Sequence, residues 1–339
     1  MSKNNADRTA LVTGANAGLG FEAAAQLAED GWGKVVLACR TVEKAEAARK
    51  LLVERVGRDP YSTLAIDTSE VAPAQAAVDE LASRGEVIDF LLLNAGASPK
   101  VAAFTSQGYE ITYASTLIGH HVLTVGALAH GLLGPHARIV IAASEGSRGN
   151  MPGMGLQDVG KLAAKHHDGD RAKTIESLVK LQLPEQKSFV NMREDVTAKL
   201  IVGWWAAALA PQLPAGMTVN AVSPGANLGT TFARDAPVMM KLVMMPFMKL
   251  MGPLLGMDGP VADGARRYLD AAERLDDDTG NTYATAHPKK FVGPVGLQTT
   301  FPQFFEEESF QPAWDALVSL TGVGLPQTAT GAPGEAASA

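Results

Sequence analysis

The sequence predicts a doubly wound α/β fold in a single domain, and three observations predict it. Short apolar runs at 9–13, 34–39, 62–66, 88–93, 138–143 and 218–222 alternate with stretches of helical periodicity. These runs are continuous Val/Ile/Leu stretches rather than alternating ones, so each is expected to be buried on both faces of a parallel sheet. The first run also ends in Thr13-Gly14-Ala15-Asn16-Ala17-Gly18-Leu19-Gly20 and opens directly into a helix, the place where a Rossmann-type sheet binds phosphate.

The elements follow in order. Helical periodicity at 21–29, 43–56 and 74–83 separates the first four strands, and a helix over 116–132 precedes the fifth. Residues 145–192 then break the rhythm; they carry His166-His167-Asp168-Gly169-Asp170 and no strand-like run, so they read as an insertion outside the sheet. After the sixth strand, residues 226–260 hold seven of the twelve methionines. Methionine adapts to irregular apolar ligands, so this stretch reads as a substrate lid, mobile together with the insertion. A helix over 261–273 and a short strand at 282–284 close the sheet. No shift in composition marks a second domain in 1–325, and 326–339 is a Pro/Gly/Ala/Ser tail with little to bury.

With 46% hydrophobic and 19% charged residues in 339, the chain is long and apolar enough for a substantial core. A formal charge of -7 with no Lys/Arg-rich run argues against nucleic acid as a partner. A lone Cys39 and a polar amino terminus suggest a cytoplasmic protein. The longest apolar stretch, 238–257, is interrupted by Lys241, Pro246, Lys249 and Pro253, so no integral membrane segment is expected.

The spacing Thr-Gly-x-x-x-Gly-x-Gly of Gly14, Asn16, Gly18, Leu19 and Gly20 resembles the short-chain dehydrogenase/reductase superfamily. Asp67 at the end of the third strand, Asn94-Ala95-Gly96 at the end of the fourth, Ser144 after the fifth and Ser223-Pro224-Gly225 after the sixth agree with it in order. The resemblance implies a nicotinamide cofactor bound by these residues, with adenine beside Asp67 and the nicotinamide beside Pro224 and Gly225. The second strand ends in Ala38-Cys39-Arg40 instead of a carboxylate. A guanidinium there can grip a 2′-phosphate, so NADP is favoured over NAD.

The family's catalytic serine maps to Ser144, and its ribose-binding lysine to Lys199. Where the family has a tyrosine four residues before that lysine, this chain has Asp195, and where it has a helix asparagine, this chain has Thr116. An ordinary carboxylic acid has a pKa near ~3.9, against ~10 for tyrosine. Asp195 is thus expected to be ionised, able to accept a proton but not to donate one to a carbonyl, unless burial raises its pKa. A simple helix ion pair between Asp195 and Lys199 is the plainer reading. The long segment between Ser144 and Asp195, with the Ala-Cys-Arg strand end, resembles the retinol-dehydrogenase and light-dependent protochlorophyllide reductase branches, which implies a large lipophilic substrate. No metal is expected: His166, His167, Asp168 and Asp170 lack a third ligand at a set spacing. His120, His121, Tyr109 and Tyr113 read as packing residues.

The function these residues point to is an NADP(H)-dependent oxidoreductase acting on a bulky lipophilic alcohol, carbonyl or conjugated alkene. Two alternatives keep the fold: a lyase, isomerase or cyclase using the Asp195 carboxylate as base, and a cofactor-binding regulatory protein. A homo-oligomer is compatible with all three.

Overall fold

The computed structural model describes residues 4–150, 155–226, 258–274 and 278–325. Among the described residues, eight strands form one sheet in the order β3-β2-β1-β4-β5-β6-β7-β8. They are β1 (Thr9–Thr13), β2 (Lys34–Cys39), β3 (Tyr61–Ala65), β4 (Ile88–Leu93), β5 (Leu133–Ala142), β6 (Thr218–Val222), β7 (Thr282–Thr285) and β8 (Val295–Leu297). All neighbours are parallel except β7 and β8, which pair antiparallel. The strand order reverses between β1 and β4, which opens a crevice at the carboxyl ends of the strands.

Two apolar cores cover the two faces, as the continuous apolar runs require. Leu11, Val36, Leu91 and Ile139 point into one; Ala10, Val12, Leu37, Leu92 and Val140 point into the other. Helices α1 (Gly18–Glu29) and α2 (Val42–Val56) supply the second core, and α3 (Val71–Ser83) the first. Helix α4 runs from Ile111–Tyr113 through a π-helical turn, Ala114–Ile118, into Gly119–Ala129. It begins earlier than the sequence expects because the buried Glu110 caps it, its carboxylate accepting from Thr112 N at 2.8 Å. Strand β3 is one residue earlier than expected, and β5 starts five residues earlier.

The insertion is helical. It holds α5 (Val159–His166) and α6 (Arg171–Val179), whose Val159, Leu162, Ile175, Leu178 and Val179 are buried in the first core. That burial differs from a loosely attached lid, since so much apolar surface leaves water. Helix α7 (Asn191–Leu209) follows, then α8 (Val261–Arg274) against α1. The sequence reading closed the sheet near residue 284, but the chain goes on to β8 and a final helix, α9 (Glu307–Thr321), packed on α6 and α7. The expected methionine lid falls almost entirely within 227–257, and the expected tail at 326–339; both lie outside the described residues. No helix among the described residues is long and apolar enough to cross a membrane.

Candidate active site

Five strand ends line up the site. The register sets Thr13 beside Ala38, Val12 beside Leu92, Leu93 beside Ile141 and Ala142 beside Val222. The glycine turn, Asn94, Ser144 and Pro224 therefore leave the sheet in one row.

At the β1 end, Gly14 has φ +68°, a left-handed conformation that favours glycine. A Cβ on Gly20 would come within 2.5 Å of Gly14 O and 2.6 Å of Asn94 Nδ2, so the turn closes only with glycine there. Asn94 donates from Nδ2 to Thr13 O at 3.0 Å, while Asn94 N and Ala95 N donate to Thr13 Oγ1 at 2.8 and 2.9 Å. The Asn-Ala-Gly element thus braces the glycine turn. Beside it lies a cleft of about 290 Å³ lined by Gly14, Asn16, Asp67, Asn94, Ala95 and Gly96, with Arg40 and Lys44 at one end. Gly18, Leu19 and Gly20 form the opening turn of α1, whose unpaired N–H groups suit a pyrophosphate. Arg40 Nε lies 3.3 Å from Asp67 Oδ2, a half-exposed ion pair that sequence reasoning did not join. Lys44 is a second cation that it passed over, although its place in the first turn of α2 was readable.

His120 ties this cleft to the π-helical turn. Its Nδ1 lies 3.0 Å from Thr116 O, which can only accept, so Nδ1 carries the proton. Nε2 then accepts from the Thr13 hydroxyl at 2.9 Å. Burial, helped by the nearby Lys199 charge, lowers the His120 pKa to about 3, so the ring is neutral. Thr116 is buried on that turn, its Oγ1 3.6 Å from where a Cβ on Gly96 would stand.

At the other end, Lys199 Nζ donates to Ala142 O at 2.6 Å, which brings the α7 lysine to the end of β5, two residues before Ser144. Ser144 caps the turn Glu145–Arg148, its Oγ accepting from Gly146 N at 3.1 Å. Ser147 Oγ donates to Val196 O at 3.0 Å, fixing that turn to α7 one residue past Asp195. Asp195 stands one helical turn before Lys199, and no direct ion pair joins them, unlike the plainer sequence reading. Burial raises the Asp195 pKa above the ordinary carboxylate range while the Lys199 charge pulls it down; burial correspondingly lowers that of Lys199.

The neighbour of Asp195 was missed altogether. Glu194 is fully buried and accepts from Tyr113 Oη at 2.8 Å and from Gln157 and Gln186 Nε2 at 3.0 Å each. Arg193 completes the network at 2.7 Å. Tyr113 is thereby occupied, and Tyr109 Oη donates to Leu320 O at 2.7 Å, so both tyrosines pack as expected. His166 pairs with Glu185 at 3.0 Å, and His167 with Ser177. Among the described residues no group of three His, Cys, Asp or Glu could hold a metal.

Residues 8–166 match the family model for short chain dehydrogenase. Over that stretch the chain is similar to the short chain dehydrogenases. It is 36% identical over 148 residues to the WW domain-containing oxidoreductase of Drosophila melanogaster, a match covering 43% of this chain and 36% of that protein. The chain thus spans little more than a third of that relative's length. Human retinol dehydrogenase 13 is 24% identical over 332 residues, covering 94% of this chain and 86% of that one. A short chain dehydrogenase from Burkholderia cenocepacia, solved in complex with NADP, shares the fold at a TM-score of 0.57 and 22% identity, over 81% of this chain and 94% of that chain.

Proposed function

We propose that the chain is an NADP(H)-dependent oxidoreductase acting on a bulky lipophilic alcohol, carbonyl or conjugated alkene. The observation that carries this reading is a dinucleotide cleft with two cations, Arg40 and Lys44, at its adenosine end and no carboxylate closing the second strand. The bound cofactor would supply the hydride. Gly14, Asn16 and the start of α1 would take the pyrophosphate, Asp67 the adenine, Lys199 the ribose, and Pro224 and Gly225 would flank the nicotinamide. The NADP held by the Burkholderia structure of the same fold and the name of the human relative, retinol dehydrogenase 13, support the cofactor and the substrate class.

Ser144 would hold the substrate oxygen by its hydroxyl. Asp195 would accept the proton in the oxidative direction, directly or through a water held near Thr116. A carboxylate donates nothing to a carbonyl, so reduction of a simple ketone should be slow by the ~10²–10⁴ that a placed general acid contributes. The test is incubation with NADPH and a panel of lipophilic carbonyls and enones, following the near-ultraviolet absorbance of the reduced nicotinamide and product mass together. Absorbance loss with a product two mass units heavier is expected. A product isomerised or cleaved with no absorbance loss would instead favour the second reading, a lyase or isomerase with Asp195 as base, which the carboxylate's lack of a direct lysine partner supports.

A further inference from the structure

Glu145 and Arg267 meet behind the site. Glu145 directly follows Ser144, and its side chain is 5% exposed. Its Oε1 accepts from Thr285 N at 2.8 Å and from Thr285 Oγ1 at 2.7 Å, and lies 3.3 Å from Arg267 Nη1. Its Oε2 lies 2.8 Å from Nη2 of Arg148, whose side chain is wholly buried. Arg267, on α8, also reaches Ser223 O at 3.4 Å, Thr285 Oγ1 at 3.1 Å and Gly293 O at 2.8 Å. One guanidinium therefore touches the residue after Ser144 and the residue before Pro224.

The Pro224–Gly225 turn rests on the same group. Gly225 has φ +78°, and a Cβ there would fall 2.7 Å from Arg267 Nη1 and 2.5 Å from Phe291 O. Gly225 N donates back to Ser223 Oγ at 3.2 Å. Burying two guanidiniums around one carboxylate is costly, and an apolar cluster of the same volume would hold the strands as well. What an apolar cluster would not fix is direction: the hydrogen bonds set how the two strand ends face each other.

We propose that Arg267 and Glu145 are positioning residues that fix the Ser144 end of β5 relative to the Pro224–Gly225 turn. This rests on the proposed oxidoreductase reading, in which those two places receive the substrate oxygen and the nicotinamide. The phosphate turn and Arg40 belong to the other half of the sheet, so loss of the pair should leave cofactor affinity nearly intact and misalign the reacting groups. A displacement of about 1 Å is enough to cost ~10² in rate.

Arg267→Met and Glu145→Gln test this, the second keeping shape and an acceptor for Thr285 should the first fail to fold. NADPH affinity within about threefold of the parent, a single-turnover reduction rate lower by about 10²-fold for Arg267→Met and about tenfold for Glu145→Gln, and an altered emission of bound NADPH are expected. Parent-like emission and parent-like rate in the folded variants overturn the proposal. A parent chain that binds NADPH but reduces nothing overturns the proposed reaction alone, and the emission of bound NADPH then decides the positioning role by itself.

Discussion

At Asp195 two opposed influences meet, and which one prevails sets the pH range of any chemistry it performs. Burial raises its pKa and Lys199 lowers it, with burial the larger effect. As a base it works only when ionised, so activity should fall as pH drops through a pKa above the usual ~3.9. Asp195→Asn should remove that acid limb and lower turnover by at least ~10², while NADPH affinity barely moves because Lys199 remains. An unaltered pH profile of kcat/KM in the variant would assign the proton to another group. At Arg40 the ion pair with Asp67 holds the guanidinium at the edge of the cleft proposed to take adenosine. Arg40→Ala should cut the preference for NADPH over NADH about tenfold or more, the scale of a charge-assisted hydrogen bond. Titration of both cofactors against intrinsic fluorescence measures it; an unchanged ratio would shift the role to Lys44.

The strands and the glycine turn were legible because continuous apolar runs and a Thr-Gly-x-x-x-Gly-x-Gly spacing are local signals. Helix α4 was less so: Tyr113, Ala114, Leu117 and Ile118 are all buried, and a helix without a polar face has no periodicity to mark its start. Its real signal is Glu110. The buried networks of Glu145 and Glu194 were illegible, since each joins residues far apart in sequence and a lone acid in a sequence reads as surface. Glu110 gives this element a measurable signature. Burial raises its pKa from 4.5 to about 7, so between those values the unfolded chain releases a proton that the folded chain keeps. Stability should fall as pH rises through that window, by up to about 3 kcal/mol at roughly 1.36 kcal/mol per unit, and level off above it. Urea unfolding of Glu110→Gln at pH 5 and pH 8 should show a shallower fall than the parent; equal slopes would place the titration elsewhere.

Across the whole molecule, the last helix decides how the two cores differ. Helix α9 lies on one face only, where His121 Nε2 meets Val323 O at 2.8 Å, Trp204 Nε1 donates to Gln303 O at 2.7 Å and the His121 and Trp314 rings stand 5.1 Å apart. Arg171 at the start of α6 reaches Glu306 at 3.1 Å and Ser309 at 2.8 Å. The insertion, α4 and the carboxyl-terminal segment therefore share one core, while α1, α2 and α8 share the other across the sheet. If the insertion is built into that core, its amides in α5 and α6 should exchange with deuterium as slowly as those of β4 and β5, where a detached lid would exchange fast. Trp314→Ala should cost about 3–5 kcal/mol, as large buried aromatics do. The loss should not spread evenly. Exchange should quicken in α6, α7 and α4, which lean on α9, and stay near parent values in α1 and α2, which the sheet separates from the new cavity. Equal acceleration on both faces would mean that the sheet opens as one cooperative unit, and that α9 steadies the glycine turn as much as it steadies the insertion.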